Sequence, residues 1–266
     1  MKQPTLSEPI SERMHMIYNH DLEEVFNKTI NSTRYRLYNY FMRFFINYIQ
    51  NLNLPKAKVL DIGAAQSNFS LLLAEAGYDV TAIDIQPEFI EYSKLKYERG
   101  KIDFLTGNFA EMLIDKKFDI ILLGEILEHT NKPDEILDKC INLMHEQSFL
   151  IITTPSQIYF RNKLPDFTSV KKLKNAKKFF PDGNDHYFLY RPSELLEIFS
   201  NKGLRVVDAR FYRSLYLNGD VKLRYLHKLI PEIIHYKIEK TIENFFSQRY
   251  NKIFSQQFYC LKLKDS

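Results

Sequence analysis

Residues 59–70 read Val-Leu-Asp-Ile-Gly-Ala-Ala-Gln-Ser-Asn-Phe-Ser, and this stretch decides how the rest of the chain is read. An apolar run ends beside an acid, small residues follow, and the order predicts a buried strand, a tight turn and a helix. Gly63 permits a positive φ and lets a ligand approach the backbone closely. In an open α/β sheet, a nucleotide-like ligand binds at such a turn, because the helix N-terminus and exposed amides converge there.

A second acid follows at the spacing that a nucleotide site needs. Residues 79–84 read Asp-Val-Thr-Ala-Ile-Asp, which predicts a second strand that ends in Asp84. A carboxylate about 20 residues after the glycine turn can accept hydrogen bonds from ribose hydroxyls. The alternative role for Asp84 is that of an acid at the N-terminus of the helix that begins near Pro87.

Further strands alternate with helical segments along the chain. Residues 102–109 predict a third strand, and residues 118–123 are an apolar run typical of a strand covered on both faces. Residues 148–154, 204–209 and 257–263 predict three more. This alternation predicts an α/β fold with a largely parallel sheet.

Two motifs resemble class I S-adenosylmethionine-dependent methyltransferases: Val-Leu-Asp-Ile-Gly at 59–63, and Leu-Glu-His at 127–129 after an apolar strand. The family usually has two further glycines where this chain has Ala65 and Ser67. The resemblance implies a Rossmann-like, seven-stranded sheet, mostly parallel with an antiparallel last strand and flanked by helices. It also implies an N-terminal helical cap and a helical insertion before the last strand.

This architecture gives the expected domain boundaries. Residues 1–54 form the helical cap and residues 55–266 the methyltransferase domain, with a substrate-side loop insertion at 156–190 and a helical lid insertion at 219–250. Long loops at the carboxyl edge of such a sheet usually shape the substrate site.

Both insertions leave alternatives open. The loop insertion contains five lysines, which form either a solvated face or a contact for RNA. The lid insertion has an apolar stripe, which either packs on the core or touches a membrane surface. The loop residues are Lys171, Lys172, Lys174, Lys177, Lys178, Phe179 and Phe180, and the stripe is Leu226, Leu229, Ile230, Ile233, Ile234, Ile238, Ile242 and Phe245.

The resemblance also implies roles in cofactor binding. Asp84 would hold the ribose, Asn108 and Phe109 would frame the adenine, and Arg36 would bind the cofactor carboxylate. Phe109 could equally be a core residue, and Arg36 a solvated arginine on an amphipathic helix. The complete expected cofactor-binding set is Arg36, Asp61, Gly63, Ala65, Asp84, Ile85, Asn108, Phe109 and Gly124.

A constellation after the fourth strand suggests further chemistry. If this segment is helical, Glu125, Glu128 and His129 share one face, and His186 lies in a loop that returns to the same sheet edge. The pattern is similar to the metal site of small-RNA 3′-end 2′-O-methyltransferases and of ubiquinone-type O-methyltransferases, which implies bound magnesium or manganese. Without a metal, His186 or His129 is the expected general base.

The preferred function is therefore O-methylation of a small molecule by direct transfer from S-adenosylmethionine, with N-methylation possible. An RNA 2′-O-methyltransferase and a non-catalytic binding module of the same fold are the alternatives. A nicotinamide dehydrogenase is disfavoured, because the segment after the fourth strand has no role there.

Composition agrees with an ordinary globular protein. The chain has 266 residues, a net charge of +4 and two cysteines, Cys140 and Cys260, too few for a disulfide framework. We therefore expect a cytoplasmic protein without a membrane span, for which peripheral membrane contact stays open. The net charge is compatible with an anionic substrate and does not argue for nucleic acid. A small-molecule substrate is the expected partner, and nucleic acid is a less favoured one. Nothing in the sequence indicates an oligomeric state.

Overall fold

The computed structural model describes residues 1–7, 10–130, 132–171, 186, 188–220, 222–223, 225, 230–247 and 251–264. The chain divides into two compact units, unit 1 (Met1–Leu113 and Tyr216–Lys237) and unit 2 (Ile114–Leu215 and Ile238–Ser266). Several residues singled out above lie outside the described part of the chain: Lys172, Lys174, Lys177, Lys178, Phe179, Phe180, Leu226 and Leu229.

Unit 1 begins with helices, as the apolar spacing predicts. Helix α1 (Glu12–Asp21) starts at Ser11, whose hydroxyl accepts a hydrogen bond from the Met14 amide. A π-helical turn (Leu22–Phe26) follows, and the long helix α2 (Ser32–Asn51) is capped by the Asn31 side chain. These caps satisfy amide groups that a helix leaves unpaired in its first turn.

Unit 1 continues with three strands that alternate with two helices. They are β1 (Lys58–Ile62), α3 (Asn68–Glu75), β2 (Asp79–Asp84), α4 (Pro87–Lys96) and β3 (Lys101–Thr106). Strand β2 pairs in parallel with both β1 and β3. The predicted third strand is shorter than expected: it ends at Thr106, because Asn108 begins a turn in which its carbonyl accepts from the Glu111 amide.

A buried polar network connects four helices of unit 1. The Lys96 ammonium lies 2.9 Å from an Asp21 carboxylate oxygen, and both side chains are fully buried. Asn68 donates to the other Asp21 oxygen at 2.8 Å and to the Tyr38 hydroxyl at 3.0 Å, while Tyr92 donates to Asp21 at 2.9 Å. Burial lowers the pKa of Lys96 to about 8, and the Asp21 charge opposes that shift. The network joins α1 and α2 to the first residue of α3.

Unit 2 contains four strands. They are β4 (Phe118–Gly124), β5 (Met144–Pro155), β6 (Leu204–Ser214) and β7 (Phe254–Leu263). Strands β4 and β5 are parallel, whereas β7 is antiparallel to both β5 and β6. The antiparallel last strand confirms the expectation from sequence.

Helices and short turns connect these strands. They are a 3-10 turn (Leu127–His129), α5 (Pro133–Asn142), α6 (Phe167–Lys171), α7 (Pro192–Asn201), α8 (Glu232–Phe246) and a 3-10 turn (Asn251–Ile253). The chain passes from one unit to the other at three points, and the last of them, between Lys237 and Ile238, falls within α8. No helix in the described ranges has both the length and the apolar character that a membrane crossing needs.

Strand β4 shows why its sequence is so apolar. Ile120, Ile121 and Leu123 are completely buried, and Leu122 is only 3% exposed. Consecutive residues of a strand point to opposite faces, so both faces of β4 are covered.

We expect Asp21→Asn to lower the free energy of unfolding by about 3 kcal/mol, because it leaves the buried Lys96 ammonium without its counter-charge. Urea titration followed by circular dichroism measures the change. The matched control is Asp208→Asn, which breaks a partly exposed pair with Arg210 at 2.7 Å and should cost less than about 1 kcal/mol. Equal losses in the two variants would contradict a structural role for the buried pair.

Candidate active site

The loop between β1 and α3 adopts an unusual backbone conformation. Gly63, Ala65 and Ser67 have φ angles of 71°, 44° and 52°, in the left-handed region. Glycine adopts this region freely, whereas alanine and serine do so at a cost of about 1–2 kcal/mol each. The chain therefore keeps the glycine-type turn at the two positions where it lacks glycine.

Hydrogen bonds hold this loop against the end of β2. The amides of Gly63 and Ala64 both donate to the Ile83 carbonyl, at 2.8 and 2.9 Å. The Ser93 hydroxyl of α4 donates to Ser67 Oγ at 2.9 Å. These contacts offset the conformational strain of the loop.

The Asp84 carboxylate connects β2 to the loop directly. Its Oδ2 accepts from the Ala65 amide at 2.8 Å, and its Oδ1 accepts from the Gln86 amide at 2.9 Å. Burial raises the pKa of Asp84, while these amides and the Arg13 charge oppose the shift. Each carboxylate oxygen has a second lone pair, so the group can accept further hydrogen bonds from a ligand. The ribose role stays a prediction.

Asp61 lies at the end of β1, in the same unit. Its Oδ2 accepts a hydrogen bond from the Ser70 hydroxyl at 2.6 Å. Burial raises the pKa of Asp61 to about 6, and the nearby Asp84 charge adds to the increase. Two buried carboxyls therefore lie near the loop, and a ligand that donates hydrogen bonds or carries positive charge would stabilise their ionised forms.

The expected adenine residues have contrasting environments. Phe109 is 6% exposed, whereas Ile85 next to Asp84 is 62% exposed. The Asn108 side chain donates to Glu111 at 2.7 Å and accepts from the Ala110 amide at 3.1 Å. Burial agrees with the core alternative for Phe109, and exposed Ile85 offers an apolar surface to a ligand. Their roles in cofactor binding stay predictions.

Arg36 is buried on α2 and lines a cavity together with Lys28, Ser32, Tyr35 and His235. Its expected contact with a cofactor carboxylate also stays a prediction.

In unit 2, the segment after β4 differs from the expected helix. Glu125 has a left-handed φ of 56°, and its amide donates to the Thr153 carbonyl at 2.9 Å. Among the described residues between β4 and α5, the helical element is the 3-10 turn Leu127–His129. Glu125 therefore does not share a helical face with Glu128 and His129, and Gly124 is the last residue of β4.

Three of the expected ligands nevertheless lie together. Glu128, His129 and His186 each place a ligand atom within 4.8 Å of the others. The Nε2 atoms of the two histidines are 3.2 Å apart, and Glu128 Oε1 lies 3.9 Å from His186 Nε2. We call these three residues the Glu-His-His group.

Glu128 is held firmly in this group. It is completely buried, and its Oε2 accepts from the Thr154 hydroxyl at 2.9 Å. Its Oε1 is buried and has no hydrogen-bond partner among the described residues. Burial raises the pKa of Glu128, and the Glu125 charge adds to the increase. An unsatisfied buried carboxylate oxygen is costly, so a cation or a protonated imidazole beside it is favourable.

Glu125 lies in a different polar environment that motif reasoning missed. Burial raises its pKa to about 7, while the Arg213 charge and the Thr153 and Gln256 side chains oppose the shift. Arg213 also has a left-handed φ, of 58°. Strained non-glycine residues often occur at functional sites, but no local sequence pattern marks Arg213 or Gln256.

Similar proteins are known for this chain. Residues 53–203, more than half of the chain, match the family model described as "Methyltransferase domain".

Two curated relatives are both called ubiquinone biosynthesis O-methyltransferase. The one from Xylella fastidiosa (strain M23) is 30% identical over 169 residues, which cover 61% of this chain and 67% of the relative. The one from Xanthomonas euvesicatoria pv. vesicatoria (strain 85-10) is 28% identical over 162 residues, which cover 59% and 66%. The chain thus spans about two thirds of these relatives' length.

Solved structures show the same fold. An S-adenosylmethionine-dependent methyltransferase from Archaeoglobus fulgidus has a TM-score of 0.54 at 20% identity, with 84% of this chain and 92% of that chain covered. Magnesium protoporphyrin IX methyltransferase from Synechocystis PCC 6803, with bound S-adenosylhomocysteine, has a TM-score of 0.54 at 13% identity, with 93% and 98% covered. These likenesses confirm the predicted Rossmann-like α/β fold.

We expect Ala65→Gly to raise the free energy of unfolding by about 1 kcal/mol, because glycine relieves the left-handed strain. Ala64→Gly is the matched control: Ala64 does not have a positive φ, so the substitution should destabilise by about 0.5–1 kcal/mol. Urea unfolding distinguishes the two. Destabilisation of similar size in both variants would show that the loop stores no such strain.

Proposed function

We propose that the chain, which belongs to the methyltransferase domain family and is an S-adenosylmethionine-dependent methyltransferase, methylates a hydroxyl oxygen of a small molecule. The observation that carries the choice of a hydroxyl is the Glu-His-His group, which can remove a proton from a weakly acidic acceptor. The curated relatives named as O-methyltransferases support the same choice.

For the cofactor, we propose the unit 1 loop as the binding site. Asp84 would accept hydrogen bonds from the ribose hydroxyls, and the Gly63–Ala65 backbone would contact the amino-acid part. Ile85, Asn108 and Phe109 would surround the adenine, with Asp61 as a further proposed contact. The expected cofactor contact at Gly124, which belongs to unit 2, stays a prediction. When bound, S-adenosylmethionine supplies an electrophilic methyl group on a good sulfonium leaving group. The protein's contribution is then mainly alignment and proton removal.

For proton removal, we propose that one imidazole of the Glu-His-His group acts as the general base. Two Nε2 atoms 3.2 Å apart cannot both carry a proton without repulsion, so one Nε2 is unprotonated and accepts the hydrogen bond of the other. That nitrogen would take the acceptor's proton once the acceptor hydroxyl replaces the neighbouring imidazole as its partner. The buried Glu128 carboxylate beside them would stabilise the imidazolium that forms. His129 and His186 are therefore the proposed catalytic pair.

The same three side chains also fit a divalent cation. One carboxylate oxygen and two imidazole nitrogens are suitable ligands for magnesium or manganese, although magnesium prefers oxygen. A bound cation would hold neighbouring oxygens of an acceptor and lower the pKa of its hydroxyl. Glu125, which lies outside the group of three, would be a ligand only if its side chain turned from its present surroundings.

Several expectations stay predictions beside this proposal. They are the helical cap at 1–54, the loop and lid insertions, and a location in the cytoplasm. Most of the lysine-rich segment that suggested RNA lies outside the described residues. The relatives named as ubiquinone biosynthesis O-methyltransferases support a small molecule as acceptor.

The direct test uses S-adenosylmethionine with a trideuteromethyl group, a panel of catechols, phenols and matching amines, and mass spectrometry of the products. We expect label on a hydroxyl oxygen, and His129→Gln should lower kcat at least about a hundredfold because proton removal is lost. Affinity for S-adenosylhomocysteine should stay unchanged in that variant. His145→Gln is the matched control, since His145 pairs with Asp119 outside the Glu-His-His group.

The controls separate the alternatives. Loss of activity with a chelator and its recovery with magnesium or manganese would assign the group to a metal, whereas insensitivity would assign it to an imidazole base. Label on nitrogen alone would overturn the hydroxyl proposal. Cofactor binding without transfer to any acceptor would favour a non-catalytic module.

A further inference from the structure

Helix α4 holds the loop between β1 and α3 through a pair of buried serines. Ser93 Oγ lies 2.9 Å from Ser67 Oγ, and both side chains are completely buried. Ser67 is one of two loop residues that have a left-handed φ without being glycine. A buried hydroxyl without a partner costs free energy, so each serine stabilises the hydroxyl of the other. We call these two residues the serine pair.

The serine pair also lies beside the carbonyl of Ala65, the other non-glycine residue with a left-handed φ. Ser67 Oγ and Ser93 Oγ are each 3.4 Å from this carbonyl oxygen, which is long for a hydrogen bond. The Ser93 hydroxyl is also 2.7 Å from the Phe89 carbonyl, one turn earlier in α4. Each hydroxyl has one proton, so one serine donates to the other and the second donates to a carbonyl. The pair therefore connects the loop to the second half of α4.

Ala65 is thus held at both of its backbone polar groups. Its amide donates to Asp84 Oδ2 at 2.8 Å, and its carbonyl lies beside the serine pair. Its φ of 44° is one that alanine keeps only where surrounding contacts stabilise it. Loss of the serine contacts would let the Ala65 backbone relax and turn its amide away from the carboxylate. The carboxylate proposed to hold ribose would then lose a donor that orients it.

A second contact from α4 reaches the next residue of the chain. Lys96, three residues after Ser93 and therefore on the same side of the helix, donates to the Asn68 side-chain oxygen. Asn68 directly follows Ser67 and is the first residue of α3. One side of α4 therefore fixes two consecutive residues at the junction between the loop and α3.

We propose that Ser93 is a positioning residue for the cofactor, acting through Ser67 and Ala65 on the Asp84 carboxylate. Glycine at position 67 would adopt the left-handed conformation freely, whereas serine needs the contact from α4 to keep it. The hydroxyl at position 93 therefore matters for cofactor binding only while residue 67 is not glycine. This inference rests on the proposed function, in which Asp84 binds the ribose.

A double-mutant cycle, followed by calorimetric titration with S-adenosylhomocysteine, tests this coupling. We expect Ser93→Ala to weaken binding about fivefold to tenfold, because the buried Ser67 hydroxyl loses its partner. Ser67→Gly should bind within about twofold of the wild type, because glycine adopts the loop conformation without strain. When Ser67→Gly is already present, adding Ser93→Ala should change the affinity by less than about twofold.

A third variant tests the pair from the side of the loop. Ser67→Ala removes the hydroxyl but keeps a side chain at the left-handed position, so it should weaken binding as much as Ser93→Ala does. Circular dichroism checks that each variant is folded. If Ser93→Ala does not fold, the contrast between Ser67→Ala and Ser67→Gly carries the same prediction. Equal affinity in those two variants would overturn the inference.

Ser148→Ala is the matched control for the loss of a buried hydroxyl. The Ser148 side chain is completely buried and donates to the Phe118 carbonyl at 2.6 Å, but it belongs to unit 2. We expect this variant to unfold at a lower urea concentration and to keep its affinity for S-adenosylhomocysteine. Weakening equal to that of Ser93→Ala would show a general loss of stability and would overturn the positioning role.

Methylthioadenosine, which has the adenosine part of the cofactor without the amino-acid part, tests the route through Asp84. Ser93→Ala should weaken its binding by the same factor as that of S-adenosylhomocysteine. Unchanged affinity for methylthioadenosine would overturn the route through the ribose carboxylate.

The outcomes for S-adenosylhomocysteine separate this inference from the proposed function. Binding by the wild type with equal affinity in Ser93→Ala would overturn the inference alone. So would an equal loss from Ser93→Ala in the presence and absence of Ser67→Gly. No binding by the wild type would overturn the proposed cofactor site, and this inference with it.

Discussion

The hydrogen bond from the Ala65 amide to the Asp84 carboxylate is the interaction on which the candidate cofactor site depends. It ties the end of β2 to a loop whose backbone is left-handed at three positions, two of them occupied by non-glycine residues. A strained backbone persists only where surrounding contacts stabilise it. Here the hydrogen bond to Asp84 and the two amide hydrogen bonds to the Ile83 carbonyl stabilise the loop. The carboxylate proposed to hold ribose therefore also fixes the conformation of the loop.

The buried network around Asp21 extends this order to the N-terminal helices. Asn68 is the first residue of α3, directly after the loop, and it contacts both Asp21 and Tyr38. Removing water from the fully buried Lys96 and Asp21 charges costs much free energy, so the pair is stable only when its hydrogen-bonding geometry is good. The network therefore specifies one position of α1 and α2 against α3, and fixes the helix that begins at the loop.

Much of this arrangement follows from local sequence. The strand, acid and small-residue turn at 59–67 and the strand ending in Asp84 were predictable because each depends on neighbours in the chain. Local reasoning failed after β4, where a helix was the condition for placing Glu125 on one face with Glu128 and His129. There the Glu125 amide bonds to Thr153 on another strand, and this long-range contact prevails over helical spacing.

The polar surroundings of the two glutamates could not be predicted for the same reason. Arg213 and Gln256 reach Glu125 from strands far along the chain, and no motif marks either residue. The meeting of His129 and His186, which 57 residues separate, was suggested by the return of the His186 loop to the same sheet edge and by the family resemblance. The left-handed φ angles of Ala65 and Ser67 could not be predicted either, because alanine and serine disfavour that backbone region.

The central claim is that Asp84 binds the ribose of S-adenosylmethionine, and calorimetric titration of the wild type and Asp84→Asn with S-adenosylmethionine tests it most directly. The account predicts saturable binding in the wild type and a loss of affinity of about tenfold to a hundredfold in the variant, since charge-assisted hydrogen bonds to the ribose are removed. Asp79→Asn, at the other end of β2, should bind like the wild type. No binding by the wild type, or equal affinity in Asp84→Asn, would contradict the account.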